Sequence, residues 1–276
     1  MLYYLLMIDL VKDIIESFVG VCEQSNPQPN DLTWLDNKAL MRKNATSAHI
    51  IATNQPQSLQ DAYVLDVVGE ISDKMQISPV KIMIYDAKDN KASAMHLSNN
   101  SLGISTAKIE QSIPQHLSAT IAHEMGHQQQ NAKSLAVSCG RATLEVSAGI
   151  AAALATYPTI KQSTNSYIAA GISTIVAVVA IMASSAVTEP LFSAFRREQE
   201  LDADKNSAEI NGATPMIEVL EQKIIAKNNG HVGEHIITEH KQKNWLQQLN
   251  AKHPSHEERI AALKQIEQSQ TQQVRA

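Results

Sequence analysis

The chain has 276 residues, 43% of them apolar, which suffices for one large domain or two small ones with a real core and excludes a disordered segment. A net charge of -5 with no concentrated run of Lys and Arg excludes a basic nucleic-acid footprint, so no nucleic-acid partner is expected. Two cysteines, Cys22 and Cys139, stand outside any C-x-x-C pair, which excludes a multi-bridge framework and fits a reducing compartment.

Residues 2–18 are expected as an amphipathic helix that packs on the domain. Their apolar run, 2–8, ends at Asp9, with no basic stretch before it and no small-residue cleavage site after it, so it does not read as a signal peptide. The turn-rich SNPQPNDLTW that follows sets residues 1–37 apart as a helix and linker ahead of one domain over 38–268. Residues 58–75 carry Tyr63, Val64, Val67, Val68 and Ile71 at helical period and end near Gln76. The β-branched VKIMIY, 80–85, closed by DAKDN, predicts a strand, and 92–97 and 101–106 predict two more around a Ser-Asn-Asn turn. A small antiparallel sheet in a mainly α, α+β chain is therefore expected.

Pro114 suits the first turn of a helix in which Leu117, Ile121 and Met125 recur every four residues as a buried stripe. Beyond it lie an Ala-rich stretch, 146–160, and a stretch without a charge, 167–188, separated by KQSTN; together they predict an apolar helical hairpin over 142–189. Charged helices are expected from Leu191 to about Asn211, over 215–227 and over 256–266, followed by a flexible tail, 269–276.

The Pro114 helix contains His123-Glu-Met-Gly-His127. Residues i and i+4 of a helix project from one face about 5–6 Å apart, a span that lets two imidazoles bind one zinc ion. Glu124, beside the first histidine, is then placed to take the proton as water attacks a carbonyl. Two histidines do not hold a catalytic zinc, so a third ligand is required. In FRREQELDAD, Arg197, Glu200 and Asp204 share a helical face; Glu200 is the expected third ligand of one Zn2+ per chain, and Asp204 the carboxylate that orients a ligand histidine.

H-E-x-x-H followed some seventy residues on by R-x-x-E-x-x-A-D, here His123, Glu124, His127, Arg197, Glu200, Ala203 and Asp204, resembles the HtpX and CAAX-prenyl-endopeptidase family of membrane-associated zinc peptidases, gluzincins with Glu as third ligand. Upstream, VKIMIYDAKDNKASA resembles the family's strand and turn; downstream, His253-Pro-Ser-His-Glu-Glu-Arg259-Ile resembles its H-P-x-x-x-x-R-I close, so the similarity covers about residues 58–263. The resemblance implies an α-rich peptidase whose edge strand, residues 91–97 with Ala92, Ser93 and Ala94, pairs with an extended polypeptide substrate. Donors for the oxyanion are His253 and Arg259 first, then His231, with His235 and His240 as further candidates; the loop 228–235 is a candidate latch over the metal.

The expected function is zinc-dependent endopeptidase action on unfolded or membrane-associated proteins, a quality-control role, with Glu124 as general base. The alternative is a zinc-stabilised chaperone-like or assembly factor with little or no proteolysis. Because His123, His127 and Glu200 must meet one metal, the segment between them crosses a membrane an even number of times or not at all. Lys133, Arg141, Arg196, Arg197 and Lys205 flank the hairpin's base while only Lys161 lies at its turn, which puts the site on the cytoplasmic side of an inner or plasma membrane. A soluble or peripheral cytoplasmic protein is the alternative.

Overall fold

Ser58 starts the first described helix by accepting from the Asp61 amide at 3.0 Å, and Gln76 ends it in a left-handed conformation, φ 54°. The computed structural model describes residues 45–51, 58–78, 80–87, 92–98, 101–229 and 253–275. The expected helix at 2–18, Asn90, Lys91, His231, His235 and His240 lie outside them. The chain divides into two units, Met1–Gln128 and Gln129–Ala276.

The first unit holds β1 (Ala45–Ile51), α1 (Leu59–Met75), β2 (Lys81–Ala87), β3 (Ala94–Ser98), β4 (Ser101–Ser105), α2 (Thr106–Gln111) and α3 (Pro114–Gln129), whose last residue crosses the boundary. The sheet order is β1-β2-β4-β3. The sheet is mixed, not wholly antiparallel as expected: β1 and β3 run antiparallel to their neighbours, but β2 and β4 are parallel. The cause is burial. Every residue of β4 is buried, so β4 takes an interior position with a partner on each side, while half-buried β3 takes the edge. Since β3 turns back on β4, β4 recovers the direction of β2.

Val64, Val67, Val68 and Ile71 of α1, Ile82 to Tyr85 of β2 and Leu102 and Ile104 of β4 form the core of this unit, and Tyr63 stays on its surface. On α3 the stripe of Leu117, Ile121 and Met125 is buried as expected. Ala119, Ala122 and Gly126 are buried as well, so the helix is enclosed on more than the one face that the stripe defines. Enclosure brings His116, Thr120 and His123 out of solvent.

The second unit holds α4 (Asn131–Lys161), α5 (Ser166–Asn211), α6 (Thr214–Asn229) and α7 (His256–Arg275). The apolar hairpin is formed by α4 against α5, antiparallel: Arg141 donates to Glu189 at 2.6 Å, Thr188 to Glu145 at 2.8 Å, and Gly149 faces Ile181. A break was expected at Pro190, yet α5 runs through it. Proline there forfeits the bond to the Ala186 carbonyl, and the ties from Thr188 and Glu189 to α4 hold the helix across the gap. Among the described residues α5 is long and apolar enough to cross a membrane, whereas α4 falls short of that measure. The last helix also outruns its expected end near Ile266. The segment read as a flexible tail continues as helix to Arg275, because QSQTQQV has no Gly or Pro to stop it.

Candidate metal centre

In the first unit, His123 and His127 stand one turn apart on α3, ring centroids 4.8 Å apart at an interplanar angle of 82°. His123 is buried and His127 half-buried. Between them, Glu124 turns to the sheet: its Oε2 accepts from the main-chain N–H of His96 on β3 at 2.8 Å. That bond orients the carboxylate.

The expected substrate strand is one of the two edge strands among the described residues, but β3 itself starts at Ala94, with Ala92 and Ser93 leading into it. Ser93 is turned inward. Its N–H donates to Ser105 Oγ at 2.8 Å, its carbonyl accepts from the Ser105 N–H at 2.8 Å, and its hydroxyl meets that of Tyr85. Ser105 Oγ also caps α2 through the Lys108 amide, so one hydroxyl ties the start of β3 to the end of β4.

In the second unit, Ser255 and Glu258 form a reciprocal cap at the start of α7. Ser255 Oγ accepts from the Glu258 amide at 3.1 Å and Glu258 Oε2 accepts from the Ser255 amide at 2.7 Å. This box fixes His253 just ahead of the helix and Arg259 in its first turn. Arg259 donates from Nε and Nη2 to the two oxygens of Asp204, at 2.7 and 2.6 Å, and its Nη1 lies 3.4 Å from Glu200 Oε2. His253 Nδ1 lies 2.9 Å from Glu200 Oε1. Glu200 thus has a cationic partner at one oxygen and an imidazole at the other, and its carboxylate raises His253 above the ordinary histidine pKa. Polar contacts flank this segment of α5: Gln130 donates to the Gln199 carbonyl at 3.1 Å, and Asn206 to Gln129 at 3.1 Å.

His123 and His127 are the candidate histidine ligands within the first unit, and Glu200 is the candidate carboxylate ligand within the second. Three partnerships are not legible in the sequence: Arg259 with Asp204, His253 with Glu200, and the His96 N–H with Glu124. None follows a local spacing rule, as 55, 53 and 28 residues separate the partners.

The model of peptidase family M48 matches residues 58–267, three quarters of the chain. The chain belongs to peptidase family M48. The M48 resemblance read from HEMGH and the R-x-x-E-x-x-A-D segment is thus borne out, and with it membership of a metalloprotease family. Protease HtpX of Buchnera aphidicola subsp. Schizaphis graminum is 27% identical over 226 residues, covering 76% of this chain and 75% of the relative. The Protease HtpX homolog of Bordetella avium is 30% identical over 88 residues, 32% of this chain, and the match spans 30% of that relative's length. A crystal structure of S. mikatae Ste24p shares the fold, with a TM-score of 0.57 at 13% identity, over 95% of this chain and 58% of that one.

Proposed function

We propose that the chain is a zinc-dependent endopeptidase in which His123, His127 and Glu200 hold one zinc ion and Glu124 is the general base. Two imidazole nitrogens and one carboxylate oxygen are the donor set of a catalytic zinc site, which keeps a coordination position for reactants. When bound, zinc polarises the scissile carbonyl and acidifies water. Glu124 takes the proton of the attacking water and passes it to the departing amine. Arg259, gripped by Asp204, orients Glu200, and His253 holds its other oxygen. The outer edge of β3 binds an extended polypeptide by strand addition. Substrates of this class are unfolded or membrane-associated proteins, reached from the cytoplasmic side of a membrane that the α4–α5 hairpin enters.

The observation that carries this assignment is the anchoring of the Glu124 carboxylate by the edge strand's main chain. A zinc site that served structure alone has no use for a charged group fixed beside the ligands, whereas a proton acceptor must be held in one place. The test is Glu124→Gln, which removes the base and keeps the ligands. Zinc is expected to remain at one per chain while cleavage of unfolded casein falls by about 100- to 10,000-fold. Unchanged turnover in the zinc-loaded variant overturns the assignment.

A further inference from the structure

The direction of each main-chain group on β3 follows from its register with β4. Ser93 exchanges bonds with Ser105, and Ala94, Met95 and His96 then lie opposite Ile104, Gly103 and Leu102. In an antiparallel pair, successive residues alternate between facing the partner and facing away. Ser93 and Met95 therefore turn their N–H and C=O groups to β4, and Ala94 and His96 turn theirs to the outer edge. The Met95 side chain packs toward Met83 and Tyr85, which fixes the same alternation independently. The bond from the His96 N–H to Glu124 is the direct sign that this group points outward.

A strand added antiparallel to that edge meets the N–H and C=O of Ala94 and the C=O of His96, but it finds the His96 N–H already given to Glu124. We infer that this bond sets the cleavage register: the substrate carbonyl that arrives opposite His96 is the one the strand does not bind, and it is the one hydrolysed. Its oxygen is spared a hydrogen bond that would hold it against the sheet, and its carbon comes to rest beside the carboxylate that takes the water's proton. The same substrate residue donates its own N–H to the His96 carbonyl, because the N–H and C=O of one residue in a strand point to the same side. The residue two positions away is held by Ala94. His96 acts through its main chain as a positioning group, and this inference rests on the peptidase assignment above.

Two measurements on the zinc-loaded full chain test it. The first is an N-methyl scan of a cleaved peptide, leaving out the amide of the scissile bond itself. Methylating the N–H of the residue whose carbonyl is attacked, or of the residue two positions away, is expected to lower kcat/KM by about tenfold or more, with the alternate residues affected less. The opposite phase overturns the inference. The second compares His96→Pro, which deletes the N–H at an outward edge position where proline is tolerated, with His96→Ala, which keeps it. The ratio of kcat between them is expected to fall by about 10- to 100-fold, with KM and zinc content alike. Equal kcat overturns the inference. Should His96→Pro lose its fold, the peptide scan decides alone. Collapse of cleavage in Glu124→Gln together with a scan in the opposite phase would leave the peptidase standing and remove only the register.

Discussion

Arg259 is buried, 6% exposed, in the first turn of α7, where the helix dipole disfavours a cation. What keeps it there is the fork of two bonds to Asp204, itself 1% exposed, with Glu200 at 3.4 Å as a second anion. Removing one partner of such a pair leaves a buried charge uncompensated. Arg259→Met is therefore expected to destabilise the protein by about 3–5 kcal/mol in denaturant unfolding. It should also weaken zinc binding by about 10- to 100-fold, since Glu200 loses a group that orients it. Adding Asp204→Leu removes the stranded carboxylate and should restore much of the stability but not the zinc affinity. A double variant no more stable than the single one would show that the pair is not what Arg259 contributes. From the sequence, Asp204 was assigned to a ligand histidine and Arg259 to an oxyanion. Their bond to each other depends on α7 meeting α5, which no pattern within either segment encodes.

Within the hairpin, α4 packs tightly on α5 at Gly149. A Cβ built there would lie 2.6 Å from Ile181 Cγ1, closer than real side chains approach, and 3.2 Å from the Ala177 carbonyl oxygen, a tight contact. Ile181 can swing aside but the carbonyl cannot, so a β-branched residue must push the helices apart. Gly149→Val is expected to destabilise the chain by about 1–3 kcal/mol in thermal unfolding, and Ile181→Ala in the same chain should recover part of that loss. Additive losses in the double variant would mean that the two residues do not meet. At this scale the sequence is informative where period and punctuation agree. Ser58, the apolar period and Gln76 delimit α1 to within a residue, and Leu117, Ile121 and Met125 mark the buried stripe of α3. It fails where tertiary contacts override a local cue, as at Pro190, or where an element is too short to show a period. Of the six residues of α2, Thr106 was read into the strand before it and the other five showed no period, and β1, ATSAHII, gave no alternation to read; its place comes from pairing with β2. The parallel pairing of β2 and β4 is likewise a consequence of which strand is buried on both faces.

At the scale of the whole molecule, the apolar run of α5 leaves Ile168, Ile172, Ile175, Val178, Val179, Met182 and Val187 exposed, a surface too extensive to leave in water. Residues 167–188 rise about 33 Å, enough for a hydrocarbon core of about 30 Å, whereas the matching apolar part of α4 is shorter. At the hairpin's base, the charges that bound the span are paired with one another. Arg141 bonds Glu145 and Glu189, Thr188 bonds Glu145, and Phe192 lies under both Arg141 and Arg196 at 4.9 and 4.5 Å. A base closed in this way suits the membrane interface, with most of the hairpin's cations on one side and the 162–165 turn on the other. The protein is accordingly expected to stay in the pellet on alkaline extraction of membranes. Ile175→Lys with Val179→Lys, costing about 2.5–3.5 kcal/mol each at the span's centre, should release it. On a background with Cys22 and Cys139 changed to Ser, Ser163→Cys at the turn should react with an impermeant maleimide added outside intact cells, while a cysteine at Lys205 should react only after lysis. Release of the unaltered protein at alkaline pH would remove the spanning hairpin, and labelling at Lys205 from outside would invert its orientation. Either result leaves the proposed metal chemistry untouched, because that chemistry requires only that the segment between His127 and Glu200 cross a bilayer an even number of times or not at all.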